Sequence, residues 1–254
     1  MVARGDSRSP DQPINLHNMK KIQLNNESYL FHMGCKYNPD SKKAILIVPS
    51  GAGYYAENET YGKFSNHIDN FVLSLSDTHN VYYLVLPGQD PSINEGSYSW
   101  EASVRATAEA VKLIQKNHSL IGIVGMCTGG VIAVEALAFL GLSSLPIVLY
   151  NSSYWVGWQK PKIQDDFHND YPHVRLDRQS LLRAPNPVDI IPKHRGRIFQ
   201  ILCRVSRYPV GFQQKMKDKK KDIEQVLFDN LGDVPDSEAY EYQGMISIIT
   251  HFFS

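Results

Sequence analysis

A cysteine stands between two glycines where a strand-forming run gives way to a helical run. The segment IVGMCTGGVIAVEAL covers residues 123–137, and Cys127 is flanked at two-residue spacing by Gly125 and Gly129. A thiolate is a strong nucleophile. Glycine on either side removes the side chains that would collide with neighbouring backbone, so that the central residue can be held in a strained conformation above a sheet. The pattern predicts a nucleophilic thiol on a sharp turn, and the alternative is a buried structural cysteine.

The residue after the cysteine supplies two further effects. The helix predicted to begin at Thr128 directs the partial positive charge of its first turn at the sulfur, which favours the thiolate. The backbone N–H of Thr128 is also expected to donate a hydrogen bond to an oxyanion that forms beside the sulfur. Together these features predict acyl chemistry at Cys127.

The elements that must position this turn alternate along the chain. Apolar runs without polar alternation are typical of strands buried on both faces, and helical spacing of apolar residues separates them. Ser99 is expected to cap one of the helices. This order predicts a mostly parallel sheet with helices on both sides. The predicted strands are residues 42–50, 81–88, 120–126, 145–153 and 197–205, and the predicted helices are residues 61–75, 99–117, 129–141 and 212–232.

The two ends of the chain add strands to this pattern. Residues 20–24 and 28–37 are predicted to form two strands joined by a turn. Residues 239–249 are predicted to form a final strand that leads directly into His251.

Three regions follow from these elements. Residues 1–19 are polar and are predicted to be a disordered tail. Residues 154–195 break the alternation, are rich in Trp, Asp, His and Pro, and are predicted to be a small inserted cap. Residues 20–153 and 196–254 then form the core.

Composition excludes several classes of function. The 26 Lys and Arg residues balance the 26 Asp and Glu residues, which gives no electrostatic reason to expect a nucleic acid or a membrane as partner. No apolar stretch approaches the roughly 20 residues of a membrane span. The three cysteines form no CxxC pair, so neither a disulfide framework nor a metal site is predicted, and no cofactor is expected. The N-terminus lacks the apolar core of a signal peptide, and a cytoplasmic location is expected.

The strand, Gly-x-Cys-x-Gly turn and helix resemble the α/β-hydrolase superfamily over residues 20–254. The GMCTGG stretch is similar to the cysteine version of the turn in dienelactone hydrolases and in some thioesterase domains of natural-product assembly, whereas most members carry serine there. The resemblance implies an α/β-hydrolase fold with a small cap and an acyl-enzyme mechanism.

The resemblance also implies further site residues. A second oxyanion donor is expected from the loop after residues 42–50, with Ala52 as first choice and Gly51 as second, unless this is an ordinary glycine-rich turn. Tyr54, Tyr55 and the cap residue Trp155 are candidates for the substrate pocket, although surface aromatics are no less common.

The general base of the superfamily follows the last strand, which points to His251. His168, His173 and His194 fall in the predicted cap and are alternatives.

The third catalytic residue is missing from its usual place. Residues 206–211, which follow the strand at 197–205, contain no carboxylate. Asn151, at the end of the preceding predicted strand, is a candidate to orient the imidazole, because an amide oxygen holds the tautomer in papain-like enzymes. The alternative is a bare Cys–His dyad.

Three functions remain open. The first is a hydrolase that acts on an ester, lactone or thioester through Cys127 and His251. The second is an acyltransferase or cyclising thioesterase that uses the same acyl-enzyme. The third is a ligand-binding protein without catalysis. The expected partner is a small acyl substrate, either free or carried as a thioester on a carrier protein or coenzyme A.

Overall fold

Eight strands form one sheet in the order β1-β2-β4-β3-β5-β6-β7-β8. β1 and β2 are antiparallel to their neighbours, and all pairs from β4 to β8 across the sheet are parallel. The prediction of a mostly parallel sheet is confirmed. The strands are β1 (Met19–Leu24), β2 (Glu27–Lys36), β3 (Lys43–Val48), β4 (Asn80–Val85), β5 (Ser119–Met126), β6 (Ile147–Tyr150), β7 (Ile198–Cys203) and β8 (Glu224–Phe228).

Helices connect the strands and cover both faces of the sheet. The helices are α1 (Glu59–Ser76), α2 (Trp100–Gln115), α3 (Thr128–Phe139), α4 (Pro161–Asp170), α5 (Arg178–Leu182), α6 (Pro187–Ile190) and α7 (Tyr242–Phe252). This computed structural model describes residues 19–24, 27–49, 51, 59–89, 96–152, 160–170, 172, 174–204, 218–219, 222–232, 235 and 237–254. Of the tail predicted at residues 1–19, residues 1–18 lie outside these ranges, whereas Met19 is the first residue of β1. None of the helices in these ranges has the length and apolar character that crossing a bilayer requires.

Alternation along each central strand divides the core into two layers. Ala44, Leu46 and Val48 of β3 pack with α2 and α3 on one face, whereas Ile45 and Ile47 pack with α1 and α7 on the other. All five side chains are fully buried. Burial on both faces explains why this strand has no polar alternation in its sequence.

The prediction that Ser99 is the N-cap of a helix is confirmed. Its side chain accepts a hydrogen bond from the N–H of Ala102 at the start of α2. This bond satisfies one of the amides that a helix leaves unpaired at its first turn.

The C-terminal part of the chain corrects two predictions. Residues 239–249 are not a strand, because most of them belong to α7, and the predicted helix at 212–232 contains β8 instead. The buried residues of α7 recur at helical spacing and are Tyr242, Met245, Ile246, Ile249 and Phe252. The last strand of the sheet is therefore β8, which pairs with β7.

Helix α7 runs from the carboxyl edge of the sheet, where the parallel strands end, to the amino edge, where they begin. At its start the Glu241 carboxylate accepts hydrogen bonds from the N–H groups of Asp229 and Asn230, directly after β8. At its end the Phe253 ring occupies the space that a Cβ on Gly122 would need, at 2.0 Å, near the beginning of β5. The orientation of α7 places its last turn far from the carboxyl edge.

Helices α4 to α6 lie between β6 and β7, within the predicted cap. Phe167, Val174, Leu181 and Ala184 join the core layer that contains α2 and α3. The described part of this segment therefore packs on the core. The limits of the cap at 154 and 195 remain a prediction.

Replacing Phe253 by alanine tests the packing of the C-terminus. Phe253 is 5% exposed, and its loss opens a cavity against Gly122, so the free energy of unfolding should fall by about 3 kcal/mol. Urea denaturation measures this change. The matched control is Tyr240→Ala, because Tyr240 is 82% exposed and its removal should leave stability almost unchanged. Equal stabilities of the two variants would contradict the packing of Phe253.

Candidate functional site

Cys127 occupies a strained turn between β5 and α3. Its φ of 50° and ψ of −123° lie in a region that residues with a side chain rarely adopt. Its N–H donates to the carbonyl of Tyr150 at 2.9 Å, and its carbonyl accepts from the N–H of Gly130 at 3.2 Å. The residue is partly exposed. The turn thus has the backbone strain that the sequence predicted, and Cys127 is not enclosed by the core.

Glycines around this turn permit very close backbone contacts. A Cβ on Gly125 would lie 2.3 Å from the Cα of Gly130, and a Cβ on Gly129 would lie 2.2 Å from the carbonyl oxygen of Pro49. A Cβ on Gly130 would lie 2.3 Å from the Oγ of Ser152. The role predicted for Gly125 and Gly129 is therefore explained by contact with backbone. Gly130 is a third such position, and the doubled glycine in GMCTGG was the signal for it.

Thr128 is the first residue of α3 and is buried. No side chain caps this helix at Cys127, and its first turn contains no acidic residue. The partial positive charge of the first turn is therefore not offset by a carboxylate of the helix itself. This supports the predicted role of the Thr128 amide as a donor to an anion beside Cys127.

The loop after β3 lies against the same helix turn. Besides the oxygen of Pro49, the carbonyl oxygen of Val48 lies 2.4 Å from the position of a Cβ on Gly129. Gly51 is buried two residues beyond Pro49, and its carbonyl accepts a hydrogen bond from the Gln89 side chain at 3.0 Å. Gly51 therefore belongs to a loop that contacts the turn at Cys127. The other predicted residues of this part of the site, Ala52, Tyr54, Tyr55 and Trp155, lie outside the described residues.

Tyr98 is a site residue that the sequence did not reveal. Its side chain is fully buried, and its hydroxyl lies 3.3 Å from the Oγ1 of Thr128. Burial raises the pKa of Tyr98 well above its ordinary value, and the negative charge of a Cys127 thiolate raises it further. The phenol therefore stays neutral and keeps its proton as a donor. The sequence before Tyr98 has no apolar periodicity, so it held no signal for this residue.

The cap is joined to this loop by backbone hydrogen bonds. The N–H of Tyr98 donates to Arg175, the N–H of Asp177 donates to Tyr98, and the N–H of Arg175 donates to Gly88, at 2.5, 3.0 and 3.1 Å. Tyr98 and Leu176 form an isolated parallel bridge. Residues 175–177 of the predicted cap are thus paired with the backbone of Gly88 and Tyr98.

Asn151 has a structural position that does not fit the predicted orienting role. Its φ of 47° is in the left-handed region, its Oδ1 accepts from the N–H of Cys203 at 3.1 Å, and its Nδ2 donates to the carbonyl of Gly232 at 3.3 Å. Both ends of the amide bind backbone. Asn151 thus joins the ends of β6 and β7 to the loop after β8, which corrects the expectation that it holds an imidazole.

Tyr150 and Ser152 strengthen the same junction. The Tyr150 hydroxyl donates to the carbonyl of Gly232 at 2.7 Å, and the Ser152 hydroxyl donates to the carbonyl of Gly125 at 2.6 Å. The loop that follows β8 is therefore fixed to the end of β6. Residues 229–241, which connect β8 to α7, contain no histidine.

The structure does not bring His251 to Cys127. His251 is exposed in the last turn of α7, at the amino edge, two residues before Phe253. Phe253 packs at Gly122, and five residues of β5 at about 3.3 Å each separate Gly122 from Cys127, which is about 16 Å along the strand. The expectation that these two residues form a catalytic pair is corrected. It depended on a final strand at 239–249, and that segment is a helix of opposite direction.

Other described histidines of the core also lie away from Cys127. His79 and His118 directly precede β4 and β5 at the amino edge. His194, before β7 at that edge, contacts the carbonyl of Leu145 through Nε2 at 2.8 Å. His32 lies on β2, three strands from β5 in the sheet. His168 is exposed on α4, and His173 lies outside the described residues.

Two described acidic groups near the carboxyl edge, Asp229 and Glu241, are engaged with other partners. Asp229, after β8, forms an exposed ion pair with Arg204 at 2.5 Å. Glu241 binds the amides at the end of β8, as described above. Within the described ranges, no group of three or more His, Cys, Asp and Glu residues has the arrangement of a metal site.

Comparison with known proteins supports the fold and leaves the family open. No protein-family model matches the chain, and no curated protein is similar to it in sequence. Solved structures are similar in fold. A hydrolase of Pseudomonas aeruginosa PA01 is 11% identical with a TM-score of 0.67, and the match covers 94% of this chain and 100% of that one.

Two further solved structures have the same fold. A carboxylesterase of the thaumarchaeon Nitrososphaera gargenis is 12% identical, with a TM-score of 0.63 and coverage of 92% of this chain and 97% of that one. A protein of Klebsiella pneumoniae assigned as a dienelactone hydrolase is 14% identical, with a TM-score of 0.60 and coverage of 93% and 97%. Since these hydrolases match the chain over more than nine-tenths of its length and its sheet is mostly parallel with flanking helices, the chain has the α/β-hydrolase fold.

Proposed function

We propose that this protein transfers acyl groups through a thioester formed on Cys127. The single observation that carries the proposal is the strained conformation of Cys127, with φ of 50°, at the junction of β5 and α3. Such strain costs on the order of 1–3 kcal/mol and persists where the surrounding structure enforces it, most often at functional sites. A structural cysteine needs no such conformation.

In the first step the Cys127 thiolate attacks the carbonyl carbon of an ester, lactone or thioester. The carbonyl oxygen becomes an oxyanion, which the amide of Thr128 and an amide of the Gly51–Ala52 loop stabilise. The carbon–leaving-group bond then breaks, the leaving alcohol or thiol takes up a proton, and the acyl group remains on Sγ. In the second step water, an alcohol, an amine or a thiolate attacks this thioester, the C–Sγ bond breaks, a neutral attacking group releases its proton to solvent, and Cys127 returns as the thiolate.

The identity of the acceptor depends on the available base. A thiol with an ordinary pKa of about 8.5 provides some thiolate at neutral pH, so acylation proceeds without a histidine. Attack by water on the resulting thioester, in contrast, benefits strongly from a general base. Because His251 is remote and no core imidazole described above lies beside Cys127, transfer to an amine or thiol acceptor fits this site better than rapid hydrolysis. Among the alternatives that the sequence offered, His168 and His173 of the predicted cap are candidate bases for hydrolysis.

The acyl donor is proposed to be a small molecule or an acyl group carried as a thioester. Exchange of a thioester for another thioester changes little free energy and needs no strong base, because both the attacking and leaving groups are thiolates. A carrier-bound or coenzyme A thioester is therefore the donor class that suits a site of this composition. The similar solved structures named above include an esterase, which supports acyl chemistry on this fold without defining the donor.

Acylation of Cys127 can be measured directly. Incubation with acetyl-N-acetylcysteamine at neutral pH should add one acetyl group to the intact protein, and peptide mapping should place it on Cys127. Cys127→Ala should remove the adduct. Cys35→Ala is the matched control and should keep it, because burial raises the pKa of the Cys35 thiol to about 11. An acetyl group that stays in the Cys127→Ala variant, or no adduct in any variant, would contradict acyl transfer through Cys127.

Replacement of His251 tests its exclusion from the site. His251→Ala should leave the rate of iodoacetamide labelling at Cys127 within about twofold of the wild-type rate from pH 6 to 9, because the imidazole is too distant to share a proton with the sulfur. His168→Ala and His173→Ala are the informative comparisons, since a cap imidazole that activates the thiol would slow labelling when removed. A labelling rate that falls tenfold in His251→Ala, and in neither of the other two variants, would show that His251 is the base.

Asn151→Ala separates a structural role from an orienting role. The change leaves the buried N–H of Cys203 without its partner and puts alanine, which lacks the polar side chain that helps asparagine adopt the left-handed region, at this position, so stability should fall by about 2 kcal/mol. The pH dependence of labelling at Cys127 should not move. Asn151→Gly is the control for backbone strain and should lose less stability than Asn151→Ala. A shifted pH profile with unchanged stability would indicate that Asn151 does orient a catalytic group.

A further inference from the structure

A fully buried glutamine connects the two loops beside the nucleophile turn. Gln89 follows β4, and none of its side chain is exposed. Its Oε1 accepts a hydrogen bond from the N–H of Leu86 at 2.9 Å, and its Nε2 donates to the carbonyl of Gly51 at 3.0 Å. Burial of an amide is costly unless both ends are bonded. The chain meets this requirement by joining the β4 loop to the β3 loop.

The hydrogen bond fixes a peptide group whose direction matters for catalysis. Because a peptide unit is planar, the direction of the Gly51 carbonyl sets the direction of the N–H in the same unit. That unit belongs to the loop from which the second oxyanion donor is predicted. An oxyanion donor is effective only when it is held in place before the charge develops.

The loop that Gln89 holds is in contact with the nucleophile turn. The carbonyl oxygens of Val48 and Pro49 lie so close to Gly129 that a Cβ there would meet them at 2.4 and 2.2 Å. Gly51 follows two residues later and is buried. A shift of Gly51 would therefore alter the backbone contacts beside Cys127.

The backbone around Gln89 is itself held firmly. Gly88 has a φ of 78°, and a Cβ at this residue would lie 2.1 Å from the nitrogen of Tyr98. The carbonyl of Gly88 accepts from the N–H of Arg175 in the cap segment at 3.1 Å. The N–H of Gln89 donates to the carbonyl of Leu86 at 3.2 Å, which closes a tight turn. The backbone from which the Gln89 side chain extends is therefore held in place.

We propose that Gln89 is a positioning residue, which orients the Gly51 peptide so that this loop donates to the oxyanion of the acyl-transfer reaction. The inference rests on the proposed function and adds a residue to its machinery. Gln89 does not touch the substrate. It acts through Gly51, and it couples the oxyanion loop to the loop on which the cap is docked.

Two reactions of the same sulfur separate this role from a general structural one. Acetylation of Cys127 by a thioester passes through an oxyanion, whereas alkylation by iodoacetamide displaces iodide and forms no oxyanion. Gln89→Met keeps the length of the side chain and removes the hydrogen bonds. It should lower the rate of acetylation by about tenfold or more, since loss of one oxyanion donor costs about 100- to 1,000-fold. Its alkylation rate should remain within twofold of the wild-type rate.

Gln89→Glu provides a conservative variant with its own signature. A protonated carboxyl has nearly the shape of the amide and donates to Gly51, whereas an ionised carboxylate repels that carbonyl. Burial without an opposite charge raises a carboxyl pKa, so the protonated form should dominate at lower pH. Acetylation by Gln89→Glu, relative to alkylation at the same pH, should therefore approach the wild-type ratio at low pH and fall as pH rises. The wild-type ratio should not show this decline.

The outcomes distinguish the inference from the function on which it rests. No acetylation of Cys127 in the wild-type protein would overturn the proposed function and this inference with it. Acetylation of the wild type with an equal acetylation rate in Gln89→Met would overturn the inference alone. A parallel loss of acetylation and alkylation in Gln89→Met would also overturn it, because that result shows general damage to the nucleophile turn.

Discussion

Contact between backbone groups at the end of β5 is the constraint on which the rest of the site depends. Gly125, Gly129 and Gly130 touch one another, the carbonyls that end β3, and the side chain of Ser152, with no room for a Cβ at any of the three. Close packing of this kind leaves Cys127 no relaxed conformation, because the chain must turn from strand to helix within one residue. The backbone strain at Cys127 therefore follows from the absence of side chains on the three glycines around it.

The same junction explains how the described part of the carboxyl edge is held together. Asn151 and Tyr150 bind the carbonyl of Gly232, and Gln89 binds that of Gly51. Buried polar side chains here link loop backbones to one another. Such bonds fix where the loop peptides point, and in a site that works through backbone donors this orientation determines the chemistry.

The sequence predicted correctly the features that have a strong local pattern. It did not predict correctly a short apolar run whose spacing fits both a strand and a helix. Three predictions agree with the structure because each feature has a strong local signature. They are the Cys127 turn, the fully apolar strands and the helix N-cap at Ser99. The prediction at residues 239–249 was wrong because alternate and helical spacing both fitted its apolar residues, and the candidate base His251 was displaced with it. Gln89 could not be found, since its role arises from a contact 38 residues away along the chain.

The identity of the nucleophile agrees with this arrangement of the chain. A serine hydroxyl needs an adjacent base to attack a carbonyl, whereas a thiol ionises near neutral pH and needs only a favourable field. The loop after β8, where the superfamily that the turn resembles carries its histidine, contains none, and this loop is instead bonded to Tyr150 and Asn151. In the proposed mechanism, cysteine at the turn is the residue with which such a site keeps a reactive nucleophile. The proposed acyl-enzyme is a thioester, and since none of the core histidines located above lies beside Cys127, we propose that its reaction partner is set by the nucleophile that the predicted cap admits.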